Sequence, residues 1–549
     1  MTSGAPAMRV DTSDYASEHR MRAIERAELP PNMGHLLAER ARALGDQPAA
    51  VFFNDGDVLS YRELQRRTGR LADGLSRMGV GPGTHVGVML DTEISYPLTW
   101  LALARLGAVT VPINPAYTAR ELAFVLDDAQ CAHLVIHASH LAVFEAIEGR
   151  PLPRRSVIVV GGQATGYARW HEIEESGRDD FTPQHQPDGH EIANIQYTSG
   201  TTGLPKGARI PHAYWLLRGA VWNAQLLFPI RRNLVAQPFH YVDGQAMFML
   251  ALSGGGTAYI ARRQSASRFL SWVRQYRVNF CSMPELVART PESPDDSSTD
   301  LRVIYSYSHP PANYRGYERR FGCPVRQGFG MTELGSSLYV PIEADMMTGT
   351  GSVGIPSAHR EVKVVDDTGH EAPRGQVGEI VVRGHAIFAG YHNRPEANDA
   401  AFLPGGWFRT GDAGRQDADG FFYYLGRRKD MIRRSGENIS AVEVEAVLRS
   451  VPGIVEAAVV AVPDAVREEE IKAYVRLDEG LTPADVTPDT VLAYCARNLA
   501  RFKLPRYIAY VADFPRTTSM KIRKAELIAG NADLRLGAYD RIDRCWRTQ

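Results

Sequence analysis

The residues best equipped for chemistry lie in one run, Tyr197-Thr198-Ser199-Gly200-Thr201-Thr202-Gly203-Leu204-Pro205-Lys206-Gly207-Ala208. Three glycines, four aliphatic hydroxyls and one lysine follow an apolar lead-in of strand character. Glycines let main-chain amides approach an anion closely, while hydroxyls and an ammonium supply further donors to phosphate oxygens. The spacing is not that of a Walker A loop, because Lys206 is followed by Gly207 rather than Ser or Thr. A flexible linker could share the composition, but it would not need Pro205 and Lys206 fixed between two glycines. The run predicts a phosphate-binding loop.

Five further segments carry reactive side chains: Pro238-Phe239-His240-Tyr241, Gly328-Phe329-Gly330-Met331-Thr332-Glu333, Phe408-Arg409-Thr410-Gly411-Asp412, Gly426-Arg427-Arg428-Lys429-Asp430 and Pro515-Arg516-Thr517-Thr518-Ser519-Met520-Lys521. Each alone is weak. Thr332-Glu333 could open a helix, Asp412 could end a turn, and Lys521 could be one more solvated lysine. In this order, and with Ser435-Gly436-Glu437-Asn438-Ile439-Ser440 between the last two, they resemble the superfamily of acyl-CoA synthetases, peptide-synthetase adenylation domains and firefly luciferases. The likeness is closest in style to bacterial AMP-forming acyl-CoA ligases and runs from about residue 35 to 530.

That resemblance implies a role for each residue. Thr198, Ser199, Gly200, Thr201, Thr202, Gly203 and Lys206 would hold the phosphates of ATP. Thr332 would contact the α-phosphate and Glu333 would help hold Mg²⁺, a hard ion that keeps waters and phosphate oxygens as ligands. Asp412 would accept from the ribose hydroxyls and Arg427 would reach ribose or phosphate. Lys521 would bridge the attacking carboxylate and the α-phosphate as charge develops there. His240 would stand near the reacting carboxylate, with Gly328 and Gly330 lining the acid pocket. Rotation of a small domain about Lys429 would then exchange Lys521 for the 435–440 loop. Gly436 of that loop would line a channel through which coenzyme A attacks, so one site serves two half-reactions.

Two positions depart from the family's pattern. Where members commonly carry Gly-Ala-Ala-Pro or Gly-Gly-Ala-Pro, this chain reads Tyr307-Ser308-His309-Pro310. Tyr307 would take volume that a long acyl chain needs, and Ser308 and His309 would make the pocket wall more polar. Met520 stands where a glycine usually precedes the catalytic lysine. The expected reaction is ATP-dependent adenylation of a small or aromatic carboxylic acid with release of pyrophosphate, followed by transfer to coenzyme A. The alternative is adenylation of a small oxyanion such as nitrite, passed to an aryl amine in bacterial specialised metabolism. Loading of a carrier-protein thiol is a third reading, and a nucleotide-binding regulator without catalysis is disfavoured by Lys206, Glu333, Asp412 and Lys521 together.

The elements that must position these groups are legible too. Ala49 to Phe53, Asn54-Asp55-Gly56 and Val58-Leu59 read as a hairpin, and Ser60 with Glu63 as a capping box opening a helix. Strand 86–90, a helix over about 93–106 and strand 108–113 form a βαβ unit, a pattern that returns at Val157 to Val160 and Val303 to Tyr305. Strands at 362–365 and 379–382 mark a β-rich subdomain. Beyond it come a helix capped by Ser440, strands at 454–462 and 471–477, and a helix near 488–500. The expected fold is α/β: a large domain over 1–428 with mixed, largely parallel sheets, and a small mobile α+β domain over 429–549. The first twenty or so residues are expected to be loosely ordered.

Composition agrees. A formal net charge of −1 gives no overall basic field for nucleic acid or acidic membranes, and the cluster Arg427, Arg428, Lys429, Arg433, Arg434 is local; on its own such a run is usually a solvated face. The five scattered cysteines show no CxxC pair, which fits a reducing cytoplasm, and neither a signal peptide nor a membrane span is expected. The expected partners are an acid, ATP and coenzyme A, with room for a homodimer.

Overall fold

Strands buried along their whole length set the architecture. Val109–Pro112, Val157–Val160 and Val303–Ser306 are each buried at every residue. Such strands need cover on both faces, which parallel sheets between helical layers provide. The computed structural model describes Ser13 and residues 15–548, apart from 163, 199–204, 289, 307–310, 435–436, 518–519 and 530–532.

One sheet runs Ala168–Arg169, Val157–Val160, His133–His137, His85–Met89, Val109–Pro112, Ile192–Thr198 and Lys206–Pro211 in spatial order. It is parallel except for the last pair. A second sheet carries a parallel run from Pro48–Phe52 through Thr257–Ile260, Arg232–Val235, Phe280–Ser282 and Val303–Ser306 to Val325–Met331. From Gly335–Tyr339 onward it turns antiparallel and becomes the β-rich subdomain that includes Arg360–Val365, Gly378–Gly384, Trp407–Gln416 and Phe422–Arg427.

Between the two sheets lie helices that are apolar almost all round. In Ser95–Arg105 only Arg105 escapes burial, and His212–Gln225 and Val242–Gly254 are nearly as enclosed. One buried amide ties this layer to the first sheet. Asn194 Oδ1 accepts from Trp100 Nε1 at 3.0 Å and from Trp215 Nε1 at 3.1 Å, one indole from each of two helices. Its Nδ2 donates to Gln245 Oε1 at 3.5 Å, and Gln245 donates on to Tyr96 Oη at 3.3 Å.

The C-terminal part has cores of its own. Ile432, Val444, Ile471, Val475 and Ile508 belong to one cluster and Val460, Tyr507 and Phe514 to another. They surround a sheet built on the long antiparallel pair Ile454–Asp464 and Glu468–Leu477. Ser440 caps Ala441–Arg449 by accepting from Glu443 N at 3.1 Å, and a further helix spans Pro488–Asn498.

Three expectations are corrected. A helix over Ala16–Arg26 begins inside the stretch read as loosely ordered. Ser17 and Met21 are buried, and Ser17 N donates to Glu343 Oε1 at 2.9 Å. The box at Ser60 is half formed: Ser60 Oγ accepts from Glu63 N at 3.1 Å, but the Glu63 carboxylate turns to Arg66 at 2.8 Å. The basic cluster is a solvated face only in part, at exposed Arg433. Arg428 meets Glu379 at 2.9 Å and also Asp367, while buried Arg434 meets Glu470 at 2.7 Å. No helix among the described residues is long and apolar enough to cross a membrane, and the five cysteines are free thiols.

Replacing Asn194 with Ala strands two buried indole N–H groups, each worth about 1–3 kcal/mol when left without an acceptor. Asn194→Ala is therefore expected to lower the stability of the large domain by about 2–5 kcal/mol in denaturant unfolding. A change below about 0.5 kcal/mol would show that the amide is not the anchor of the helical layer.

Candidate active site

Lys206 and Thr198 face each other across a hairpin. Ile192–Thr198 pairs antiparallel with Lys206–Pro211, with Thr198 opposite Lys206 and Thr198 Oγ1 donating to the Lys206 carbonyl at 3.4 Å. The glycine-rich run therefore bridges two strands of a sheet whose register is fixed on both sides. Ser199, Gly200, Thr201, Thr202 and Gly203 lie outside the described residues.

The segment 388–392 runs along the outer strand of this hairpin. His392 N donates to Gly207 O and Ala389 N to Arg209 O, both at 2.7 Å, with Ala208 bridged to Tyr391. The Tyr391 ring lies under the Lys206 ammonium, 5.1 Å from ring centre to Nζ, and its hydroxyl donates to Glu333 Oε1 at 2.8 Å. Tyr391 thus couples Lys206 to Glu333. Sequence reading missed it, because one tyrosine after a glycine carries no distinguishing signal.

Thr332 and Glu333 sit at the end of Val325–Met331, at the carboxyl edge of the parallel run, where open α/β sheets bind ligands. They occupy a tight β-hairpin turn and not a helix start. Gly335 takes φ +69°, and a Cβ on Gly330 would lie 2.3 Å from the Gly335 carbonyl, so this turn needs glycine at 330. Gly328 pairs with Tyr339 in the same hairpin. Buried Arg360 holds the turn by donating to Leu334 O from Nε at 3.2 Å and Nη2 at 2.8 Å. Burial pushes that guanidinium down to about 10. Glu333 is itself buried.

His240 follows Arg232–Val235 on the same carboxyl edge, and Gln196 Nε2 donates to its carbonyl at 2.8 Å. Desolvation lowers its imidazole to about 4, against the opposing pull of Asp91. His240 is therefore neutral near pH 7 and offers hydrogen bonding in place of charge.

Asp412 and Arg427 lie opposite each other on neighbouring strands. Arg427 Nε is 3.1 Å from Asp412 Oδ1, close enough for charge pairing but not aligned to donate. Asp412 Oδ1 is buried and has no hydrogen-bond partner among the described residues. Arg427 donates instead to Thr410 O at 2.8 Å. Burial raises the Asp412 carboxyl to about 7, with Arg427 opposing, Glu333 and Glu379 adding to the rise, and Lys521 opposing. Lys521, from the C-terminal part, is thus near enough to act on Asp412. The sequence-remote groups Asp412, Arg427, Glu333 and Lys521 share one electrostatic site.

Lys521 follows a turn in which Thr517 N donates to Lys521 O at 2.8 Å and Met520 takes φ +64°. That left-handed conformation favours glycine, the residue usual in the family at this position. Tyr307, Ser308, His309 and Gly436 lie outside the described residues, as does the side chain of Lys429, whose backbone falls in the short helix Arg428–Asp430.

Among the described residues no group of three or more His, Cys, Asp or Glu side chains converges on a metal position. Glu333 offers a carboxylate in the site. A single carboxylate fits a magnesium ion that arrives with nucleotide phosphates and keeps its waters.

The raised Asp412 carboxyl makes a signed prediction. With the folded value near 7 and the unfolded value near 3.8, the neutral form costs nothing below pH 4, and the fold loses stability as pH rises through 7. The advantage of Asp412→Asn in thermal or denaturant unfolding should therefore grow by about 2 kcal/mol between pH 5.5 and 8. An advantage that stays flat over this range would contradict the burial of an unsatisfied carboxylate.

Comparison with known proteins places this geometry. Residues 37–392 match the family model for AMP-binding enzymes, and 443–521 match the model for the AMP-binding enzyme C-terminal domain. Crotonobetaine/carnitine–CoA ligase of Salmonella paratyphi A is 31% identical over 517 residues, spanning 90% of this chain and 98% of that protein. Among solved structures, the anthranilate CoA ligase AuaEII in complex with anthranoyl-AMP is similar at a TM-score of 0.84 and 25% identity, over 92% of this chain and 98% of that one. ATP-bound MatB from Rhodopseudomonas palustris is similar at 0.79 and 29%, over 90% and 98%. The chain belongs to the AMP-binding enzyme family and is an AMP-forming acyl-CoA ligase.

Proposed function

We propose that this ligase activates a small or aromatic carboxylic acid, with Lys521 acting in the adenylation step and coenzyme A as the acceptor. The observation that carries the substrate size is an aromatic wall behind the strand Val325–Met331. Trp222 Nε1 donates to Ser336 Oγ at 2.6 Å, and Ser336 pairs with Gly330 on that strand. The Trp222 ring packs 5.6 Å from Tyr305 and 5.5 Å from Phe280, and all three rings are buried. An acid bound against this strand would meet a fixed indole backed by two further rings, which would leave little depth for a long acyl chain. An acid that ends in a ring or a short polar group suits such a floor.

In this reading Lys206 and the loop before it hold the β- and γ-phosphates, with Tyr391 keeping Lys206 and Glu333 in register. Asp412 Oδ1, a buried acceptor without a donor, is fitted to ribose hydroxyls, which would draw the carboxyl to its ionised form. Magnesium would be held through Glu333 and would neutralise phosphate charge when bound. Thr332 would meet the α-phosphate from the turn that Arg360 and Gly330 shape. Neutral His240 would border the acid without adding a charge to compete with Lys521. The Lys521 ammonium would sit between the incoming carboxylate and the α-phosphate, where negative charge builds.

The large domain would end at 428 and the small one would turn about Lys429. Arg428 is moored to Glu379 and Asp367 on the large-domain side, so a rotation would begin just after it. Contacts bridging the two parts, from Ser440 to the Leu425 carbonyl and from Arg449 to Glu285 at 3.9 Å, would break and release the 435–440 loop for its second position.

Purified enzyme with ATP and Mg²⁺ should release pyrophosphate with short-chain, benzoic or cinnamic acids and form the corresponding thioester when coenzyme A is added. Lys521→Ala should lower the adenylation rate by about 10²–10³-fold. Preference for long-chain acids, or release driven only by nitrite, would overturn the proposal, and undiminished adenylation in Lys521→Ala would remove the lysine's role.

A further inference from the structure

A second concave site lies on the far side of the helix His212–Gln225. The catalytic side of that helix is marked by Tyr214, against Gly335, and by Trp222, bonded to Ser336. Leu216, Ala220 and Ala224 are each displaced two positions from that stripe, which turns them about 200° away. They line an open cavity of about 370 Å³ together with Ile24 and Leu29 of the N-terminal segment and Leu36. The volume falls in the lower part of the usual range of about 300–1,000 Å³ for small-molecule sites.

Two guanidiniums border this apolar space. Arg20 donates to Asn223 O at 2.7 Å and to Leu226 O, and Arg40 Nη2 donates to Ser253 O at 2.7 Å. Among the described residues their hydrogen bonds go to main-chain carbonyls and neither guanidinium forms an ion pair. Arg40 Nε and Ser253 Oγ are buried at this border without a hydrogen-bond partner. Two positive charges without counter-charges beside an aliphatic chamber match a ligand with one anionic end and one apolar end.

We propose that this cavity binds an amphipathic carboxylate, a medium-length acyl chain whose carboxylate lies between Arg20 and Arg40, at a site separate from the catalytic one. The aliphatic wall takes the chain, and the guanidiniums of Arg20 and Arg40 at its border face the carboxylate. Arg20 already grips the last carbonyls of the helix that carries Trp222, so an occupant would touch that helix from behind.

The test is photolabelling of the full-length enzyme, without ATP, by a diazirine analogue of octanoate, followed by peptide mapping. The label should fall on peptides covering 20–40 or 213–226, and octanoate but not octanol should compete. Arg40→Met and Ala220→Trp, each checked for an unaltered melting profile, should weaken labelling by roughly tenfold. Labelling confined to peptides containing His240 or 328–331, equal competition by octanol, or undiminished labelling in both variants would overturn the site.

Discussion

A buried amide, Asn194, ties the strand that leads to Lys206 to the helices packed between the sheets. Asn194 sits in the strand that ends at Thr198, and it receives one indole from each of two helices packed between the sheets. Because two buried N–H donors converge on one oxygen, sliding the strand by a residue would orphan all three groups. The register of Ile192–Thr198 is thereby fixed, and with it the register of Lys206–Pro211 and the position of Lys206. The strands on either side of residues 199–204 are thus held from inside the protein.

Charge organises the other half of the site. Glu379 is buried and accepts from Arg409 and Arg428, with its other oxygen on Gly411 N. It thus locks the turn that presents Asp412 and anchors Arg428. Asp412 beside it is left short of donors. The contrast is functional in kind: the satisfied carboxylate holds structure, and the unsatisfied one is prepared for a ligand. Lys521, from the C-terminal part of the chain, lies near enough for its charge to act on Asp412.

Much of this was legible in the sequence. Strands such as Val157–Val160 announce themselves by uninterrupted β-branched residues, and Ser440 with Glu443 announces a helix start because a hydroxyl at that spacing satisfies an orphan N–H. The chemical groups were named by resemblance; the structure joins Lys206 to Glu333 through Tyr391 and sets Arg427 beside Asp412. What stayed hidden depends on tertiary pairing. Tyr391 matters only because residues 388–392 lie along the strand of Lys206, and nothing local in that segment encodes its neighbour. The run 427–434 looked like a solvated face because its partners, Glu379, Asp367 and Glu470, are distant in sequence. Ala16–Arg26 was hidden for the same reason: its polar surface is held by Glu343 and by carbonyls at the end of another helix. Met520 is the reverse case, since its departure from glycine was visible while the left-handed turn it must adopt was not.

Oxygen-isotope transfer tests the central claim, that this site joins a carboxylate to the α-phosphate of ATP. A carboxylic acid that the enzyme turns over, labelled with ¹⁸O in its carboxylate, would be converted in the presence of coenzyme A and the nucleotide products read by mass spectrometry. The account predicts AMP carrying one ¹⁸O atom, because the oxygen that attacks phosphorus leaves with the nucleotide when the thioester forms. Unlabelled AMP, or label appearing in inorganic phosphate beside ADP, would contradict it.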